Sequence, residues 1–205
     1  MKPVTLRSAR LVLDQPTLAD VDLVTEYCQD PIFEKFMLTP WPYGRSDAEK
    51  FVGTVIPLMW EDDTEYSWAL RLGSEFLGLI GYRTKAHDIG YWLGAPHRGN
   101  GYMPEAVSTV ADFAFGFSSR ALCWECIPGN LASAAVAHKI GFSFLGEGTS
   151  LYPDRNGAEA VAWHGTLAPT DSREPKKSRV GPTPSFSAVV HRSDSAGPFP
   201  CTLAC

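Results

Sequence analysis

The amino-acid sequence predicts an α/β domain over residues 1–168, followed by a tail of different character. Three observations carry this. Segments that alternate apolar and polar residues interleave with segments of helical spacing. A loop with two glycines stands between a strand and a strongly apolar helix. At Pro169 the composition turns to Pro, Ser, Gly and Thr, too poor in large apolar groups to offset ordering entropy, so residues 169–205 are expected to be disordered.

The elements follow in order. Val4, Leu6, Leu11 and Leu13 mark an opening strand over 4–14, broken near Ser8-Ala9. Pro16-Thr17 starts a helix over about 18–28, with Leu18, Val21, Val24 and Cys28 on one face and Pro31 as its stop. An aromatic loop, 38–45, contains Trp41 and Tyr43. Ser46 and Glu49 form a capping-box pattern for a helix over about 47–60, which Pro57 should kink or shorten. Tyr66–Leu72 and Phe76–Arg83 read as a hairpin about Gly73-Ser74, and Ile89–Leu93 as a third strand. A helix over about 104–117 is apolar on most of its surface and should be buried against a sheet. Leu122–Ile127 is a strand. Asn130–Ile140 is a helix capped by Asn130 and ended by Gly141. Phe142–Gly146 and Glu159–Leu167 complete the set.

Composition narrows the function classes. The chain has 205 residues, 44% hydrophobic and 20% charged, which suits one soluble domain. No apolar run reaches the roughly 18 residues of a membrane span, and the first residues lack the apolar core of a signal peptide. A cytoplasmic protein is the expectation. Net charge is −5. The tail holds five Lys/Arg and three Asp/Glu, which leaves 13 against 20 in the first 168 residues. So acidic a domain is a poor nucleic-acid binder and suits a cationic partner. Cys123 and Cys126 form a C-x-x-C stretch, but on a strand they point to opposite faces, and the only other cysteine pair, Cys201 and Cys205, lies in the tail, so no metal is expected.

The chemistry concentrates in two places. Arg98-Gly99-Asn100-Gly101-Tyr102-Met103-Pro104 lies between a strand and the buried helix. Its glycines let the backbone turn and present N–H groups, the helix start adds partial positive charge, and Arg98 adds a full one. Together they can cradle a diphosphate. Neither a Walker loop nor a Rossmann fingerprint is present. About thirty residues on, Asn130 caps a helix with an amide left to offer a ligand, and Ser133 is one turn along.

With Leu6–Leu13, Ile89–Leu93 and Lys139-Ile140-Gly141-Phe142, these stretches resemble the GCN5-related N-acetyltransferase superfamily, and within it the ribosomal-protein N-terminal acetyltransferase-like group. The resemblance covers about residues 5–167. It implies the acyl-CoA N-acyltransferase fold: a mixed, mostly antiparallel sheet that splays between two central strands and is flanked by helices. It implies acetyl-CoA in the splay, with Tyr91, Trp92 and Leu93 along the pantetheine arm. The diphosphate would lie on Arg98, Gly99, Asn100, Gly101, Tyr102 and Met103, with Asn130 on the pantetheine and Ser133 near the sulfur. Two positions depart from the family pattern. Met103 stands where the phosphate loop usually has Gly or Ala, and Ala137 stands where many members carry an acidic tyrosine.

The implied reaction is direct attack of a primary amine on the thioester in a ternary complex. The amine belongs to a protein N-terminus or a small molecule. Asp88 and Glu125 are the candidate proton acceptors, and Ser133 the candidate donor to the thiolate. Trp41, Tyr43 and Trp68 are candidates for the acceptor pocket, with Glu61 to Asp63 attracting a cation. The expected assembly is a monomer or homodimer. A non-catalytic acyl-CoA-binding module of the same fold is the alternative, and a nucleotide binder of another α/β class is a third reading.

Overall fold

Alternation along the middle of the chain folds into an antiparallel meander: β3 (Glu65–Leu72), β4 (Glu75–Arg83) and β5 (Asp88–Leu93). The computed structural model describes residues 1–175. Ahead of the meander, the opening stretch is a small hairpin rather than one broken strand: β1 (Leu6–Arg7) returns as β2 (Val12–Asp14), which pairs with β3. Ser8 fixes the turn. Its Oγ accepts the Leu11 N–H at 3.0 Å and donates to Glu105 at 2.6 Å.

Beyond β5 come β6 (Leu122–Cys126), β7 (Ser143–Thr149) and β8 (Val161–Leu167). The eight strands lie in the order β1-β2-β3-β4-β5-β6-β8-β7. Each neighbouring pair is antiparallel except β5 and β6.

Alternate residues of the sheet serve two cores, as a period of two requires. Trp68, Leu70, Ile80 and Tyr91 join one cluster with α5 (Tyr102–Phe115) and α6 (Leu131–Lys139). Ala69, Leu79 and Trp92 join the other with α1 (Val21–Cys28), α2 (Pro31–Phe36) and α3 (Arg45–Lys50). The apolar helix foreseen over 104–117 is thus buried against the sheet, through Ala106, Val107, Val110, Ala111 and Ala114.

Some local expectations need correction. Pro31 starts a helix rather than ending one. Asp30 caps it, its carboxylate accepting the Ile32 N–H at 3.0 Å, and Pro31 takes the first position, where no donor is missed. The helix expected over 47–60 begins at Arg45, with the Gly44 N–H donating to Asp47 at 2.9 Å. It passes through a π-helical stretch, Phe51–Val55, into α4 (Ile56–Glu61). There the Ile56 N–H reaches back to the Phe51 carbonyl. Widening the turn in this way accommodates Pro57, which has no N–H to give.

The start of the supposed tail is also packed. Arg173 donates to Asp112 on α5 at 3.0 Å, with its guanidinium over the Phe115 ring. The packed region therefore runs past residue 168, and 176–205 lie outside the described residues.

One glycine matters to the site. A Cβ on Gly78 of β4 would fall 2.2 Å from the Trp92 carbonyl oxygen and 2.8 Å from the Leu93 Cα. The two backbones are too close for any side chain there. Gly78→Ala is expected to lower the unfolding free energy by about 1–3 kcal/mol, because β5 must move to relieve the overlap. Chemical denaturation of the two proteins measures this.

Candidate active site

β5 and β6 are registered at two positions only, Asp88 with Cys123 and Ile89 with Trp124. Beyond them the strands part. A cleft of about 290 Å³ opens at the parting, walled by β5 (Tyr91, Trp92, Leu93), by the 98–104 loop and by α6. Phe33, Phe36 and Met37, on and just after α2, form a further apolar wall.

The loop is glycine-built where the chain demands it. Gly99 and Gly101 take φ of 81° and 77°, a region other residues rarely adopt. Gly101 caps α5, whose first amides have no helical acceptor and so face outward. Met103 is 3% exposed and belongs to the α5-side core, although it also forms part of the cleft wall.

Arg98 also lines the cleft, but its guanidinium is engaged. Nη1 donates to Asp30 at 2.8 Å and Nε to the Leu93 carbonyl at 3.1 Å. Burial acts to raise the Asp30 pKa, but the Ile32 N–H and Arg98 outweigh it, so the carboxyl stays below its ordinary value. Arg98 thereby ties the loop to α2 and to the end of β5. Asn100 turns its amide onto the loop's own carbonyls, His97 and Arg98. A second arginine stands at the loop. Arg10 donates to the Asn100 carbonyl at 3.2 Å, pairs with Glu105 at 2.7 Å and lies 4.8 Å from the Tyr102 ring centre.

The α6 wall is ordered by its own cap. Asn130 Oδ1 accepts the Ser133 N–H at 3.1 Å. The Ser133 hydroxyl accepts from Trp124 Nε1 at 3.0 Å and donates to the Tyr91 hydroxyl at 3.2 Å, which in turn donates to the Ser133 carbonyl at 3.0 Å. This knot spans the parting, from β5 to β6 and α6. Lys139, at the far end of α6, also faces the cleft.

On the opposite face of the sheet, β5 carries a carboxylate at its start and β6 one near its end. Asp88 is fully buried and receives two hydrogen bonds from Arg83, at 2.9 and 2.7 Å. The Tyr152 hydroxyl donates to it as well, at 3.1 and 3.2 Å. Glu125 accepts from the Ser150 hydroxyl at 2.7 Å and from the Leu151 N–H at 3.0 Å. Both candidate proton acceptors are thus held by partners from β4 and the β7–β8 loop. That loop is strapped across by Arg155, which donates to the carbonyls of Phe33, Met37 and Thr39 at 2.6, 2.6 and 2.9 Å.

The acetyltransferase (GNAT) domain family model matches residues 10–143, from the opening hairpin to the start of β7. The chain belongs to this family. The uncharacterized N-acetyltransferase p20 of Bacillus licheniformis is 30% identical over 146 residues, which cover 67% of this GNAT protein and 82% of p20. Two solved structures share the fold. One is the Salmonella typhimurium acetyl transferase that modifies the N-terminal serine of ribosomal protein L7/L12. Its TM-score is 0.67 at 18% identity, covering 80% of this chain and 99% of its own. The other is the microcin C7 self-immunity acetyltransferase MccE, in complex with acetyl-CoA and AMP. Its TM-score is 0.65 at 19% identity, covering 78% of this chain and 93% of its own.

The structure gathers Tyr91, Trp92, Leu93, Arg98, Gly99, Gly101, Tyr102, Met103, Asn130 and Ser133 around one cleft. It does not gather the aromatic acceptor set. Trp68 is fully buried on the α5 face, its Nε1 donating to the Val4 carbonyl and its ring against Trp60 and Phe113. That corrects its expected place. Tyr43 is 5% exposed within the other core, and Trp41 packs beside it. Asp63 binds the chain's own N-terminus and the Tyr66 hydroxyl. Arg10, Arg83, Tyr152, Arg155 and the α2 wall were missed from the sequence. For α2 a signal existed: Asp-Pro is a cap followed by a first helical position.

Asp88→Ala would leave Arg83 charged and buried without its partner. An unfolding free energy lower by about 3–5 kcal/mol is expected, measurable by urea titration.

Proposed function

We propose that this acetyltransferase moves the acetyl group of acetyl-CoA to a primary amine, of a protein N-terminus or a small molecule, within a ternary complex. The observation that carries this is the parting of β5 and β6 against the glycine loop. A parted strand leaves backbone groups to pair with an extended amide-bearing arm, and the loop and the α5 start suit an anionic diphosphate. The apolar walls of Phe33, Phe36 and Met37 exclude water from the thioester. Arg10 and Lys139 supply positive charge at the cleft, and Arg98 acts chiefly as the strut of the loop.

In this reading the amine attacks the thioester carbonyl after losing a proton. Backbone N–H groups at the parting stabilise the oxyanion. The Ser133 hydroxyl, paired with Tyr91, serves the departing thiolate in place of the tyrosine that Ala137 lacks. The acceptor named for the Salmonella structure makes a peptide with an N-terminal serine the first substrate to try.

The test is release of CoA from acetyl-CoA in the presence of Ser-Ala-Ala, with its N-acetylated form as control. Acetylated tripeptide confirmed by mass supports the reading. Binding of acetyl-CoA without turnover on any amine selects the non-catalytic module. Asn130→Ala should weaken acetyl-CoA binding roughly tenfold in calorimetry, about 1.4 kcal/mol, because the α6 end loses its cap and a ligand contact.

A further inference from the structure

The face of the sheet opposite α5 holds a carboxylate that the site described so far does not use. Glu65, at the start of β3, is 1% exposed. Its Oε1 accepts from the Ser67 hydroxyl at 2.9 Å. Its Oε2 has no partner among the described residues. A buried, half-satisfied carboxylate is costly, and such a group persists where a ligand or a reaction repays it.

Its position gives it a use. Glu65, Arg83 and Asp88 are cross-strand neighbours, so one row holds two carboxylates and one guanidinium. Arg83 commits two hydrogen bonds to Asp88, and Tyr152 covers the pair. The row therefore has room for one more positive charge. The next row on this face is Ser67, Gly81 and Gly90, all small. The Glu65 carboxylate leans over it: a Cβ on Gly81 would lie 2.3 Å from Oε1. Gly90 is the first β5 residue past the last β5–β6 rung. The carboxylate thus lies over Gly81 on β4, whose cross-strand partner on β5 is Gly90, where the strands part.

We propose that Glu65 is the catalytic base of the acceptor site and that the acceptor arrives as a primary ammonium. This rests on the acetyl-transfer reading above. The ammonium gives one proton to the Glu65 carboxylate. The nitrogen lone pair then forms the bond to the thioester carbonyl carbon, and the carbon–sulfur bond breaks. The second nitrogen proton ends on the CoA sulfur, relayed by the Ser133 hydroxyl, and Glu65 returns the first to solvent. Burial raises the Glu65 pKa, with Arg83 and Ser67 opposing, which makes its carboxylate the stronger proton acceptor. The acceptor approaches from the side of the sheet that carries α2 and the β7–β8 loop, which Arg155 joins. Asp88, bound by Arg83 and Tyr152, is left as the group that positions Arg83.

The test uses the full chain labelled with ¹³C in its glutamate carboxyls and loaded with CoA. The Glu65 resonance is identified by its loss in Glu65→Gln or Glu65→Asp, and n-butylammonium is titrated in. A saturable shift of that resonance is expected. Glu65→Gln should keep wild-type affinity for acetyl-CoA and acetylate n-butylamine or Ser-Ala-Ala at least 100-fold more slowly, about what loss of a general base costs. An unmoved Glu65 resonance, or a Glu65→Gln protein as active as wild type, would overturn the proposal. A shift with n-butylammonium in a chain that does not bind acetyl-CoA would uphold the cation site and sink the acetyl-transfer reading.

Discussion

A strand pair that stops pairing governs this molecule. β5 and β6 hold two rungs and then diverge, and the cleft exists because they do. Parallel pairing at that point is itself unusual in an otherwise antiparallel sheet. It arises because the chain leaves β5, crosses through the glycine loop and α5, and returns on the same heading as β6. The crossover also places the start of α5 at the mouth of the cleft. The geometry that opens the sheet therefore also delivers outward-facing amides to it.

What keeps the parting from closing or fraying is polar. The Tyr91–Ser133–Trp124 knot joins its two banks on the α5 face, and Arg98 joins the loop to α2 and the end of β5. On the other face, Arg83 with Asp88 and the Arg155 strap hold the proposed acceptor side. Each arginine serves several carbonyl or carboxylate oxygens at once, which its forked donors permit and a lysine would not. Glu65 stands apart from this pattern. It is 1% exposed, more deeply buried than any of these arginines, yet one oxygen is left over, beside the place where the reaction is proposed to occur.

Local patterns made the fold readable. Strand alternation located β3 to β6 to within a residue or two, because the two faces of these strands serve two different cores. The Asn130 cap and the glycine loop were legible because each carries a local backbone requirement. The proposed acceptor side was not legible. Trp68 looked like a pocket aromatic, but only the strand's register shows that it faces α5. Asp88 looked like a free base, and its partner Arg83 became a neighbour only when β4 folded onto β5. Tyr152 and Arg155 lie more than sixty residues from Asp88 and α2, in a loop without periodicity. Glu65 reads on its own as a surface residue at a strand start, and nothing local reveals its burial.

Hydrogen exchange of the backbone, with and without acetyl-CoA, tests most directly the claim that the parted strands are the cofactor's seat. The amides of residues 91–93 and of 99–103 should become strongly protected on adding acetyl-CoA and stay unchanged with ATP. Protection that spares both segments, or that ATP produces equally, would contradict the account.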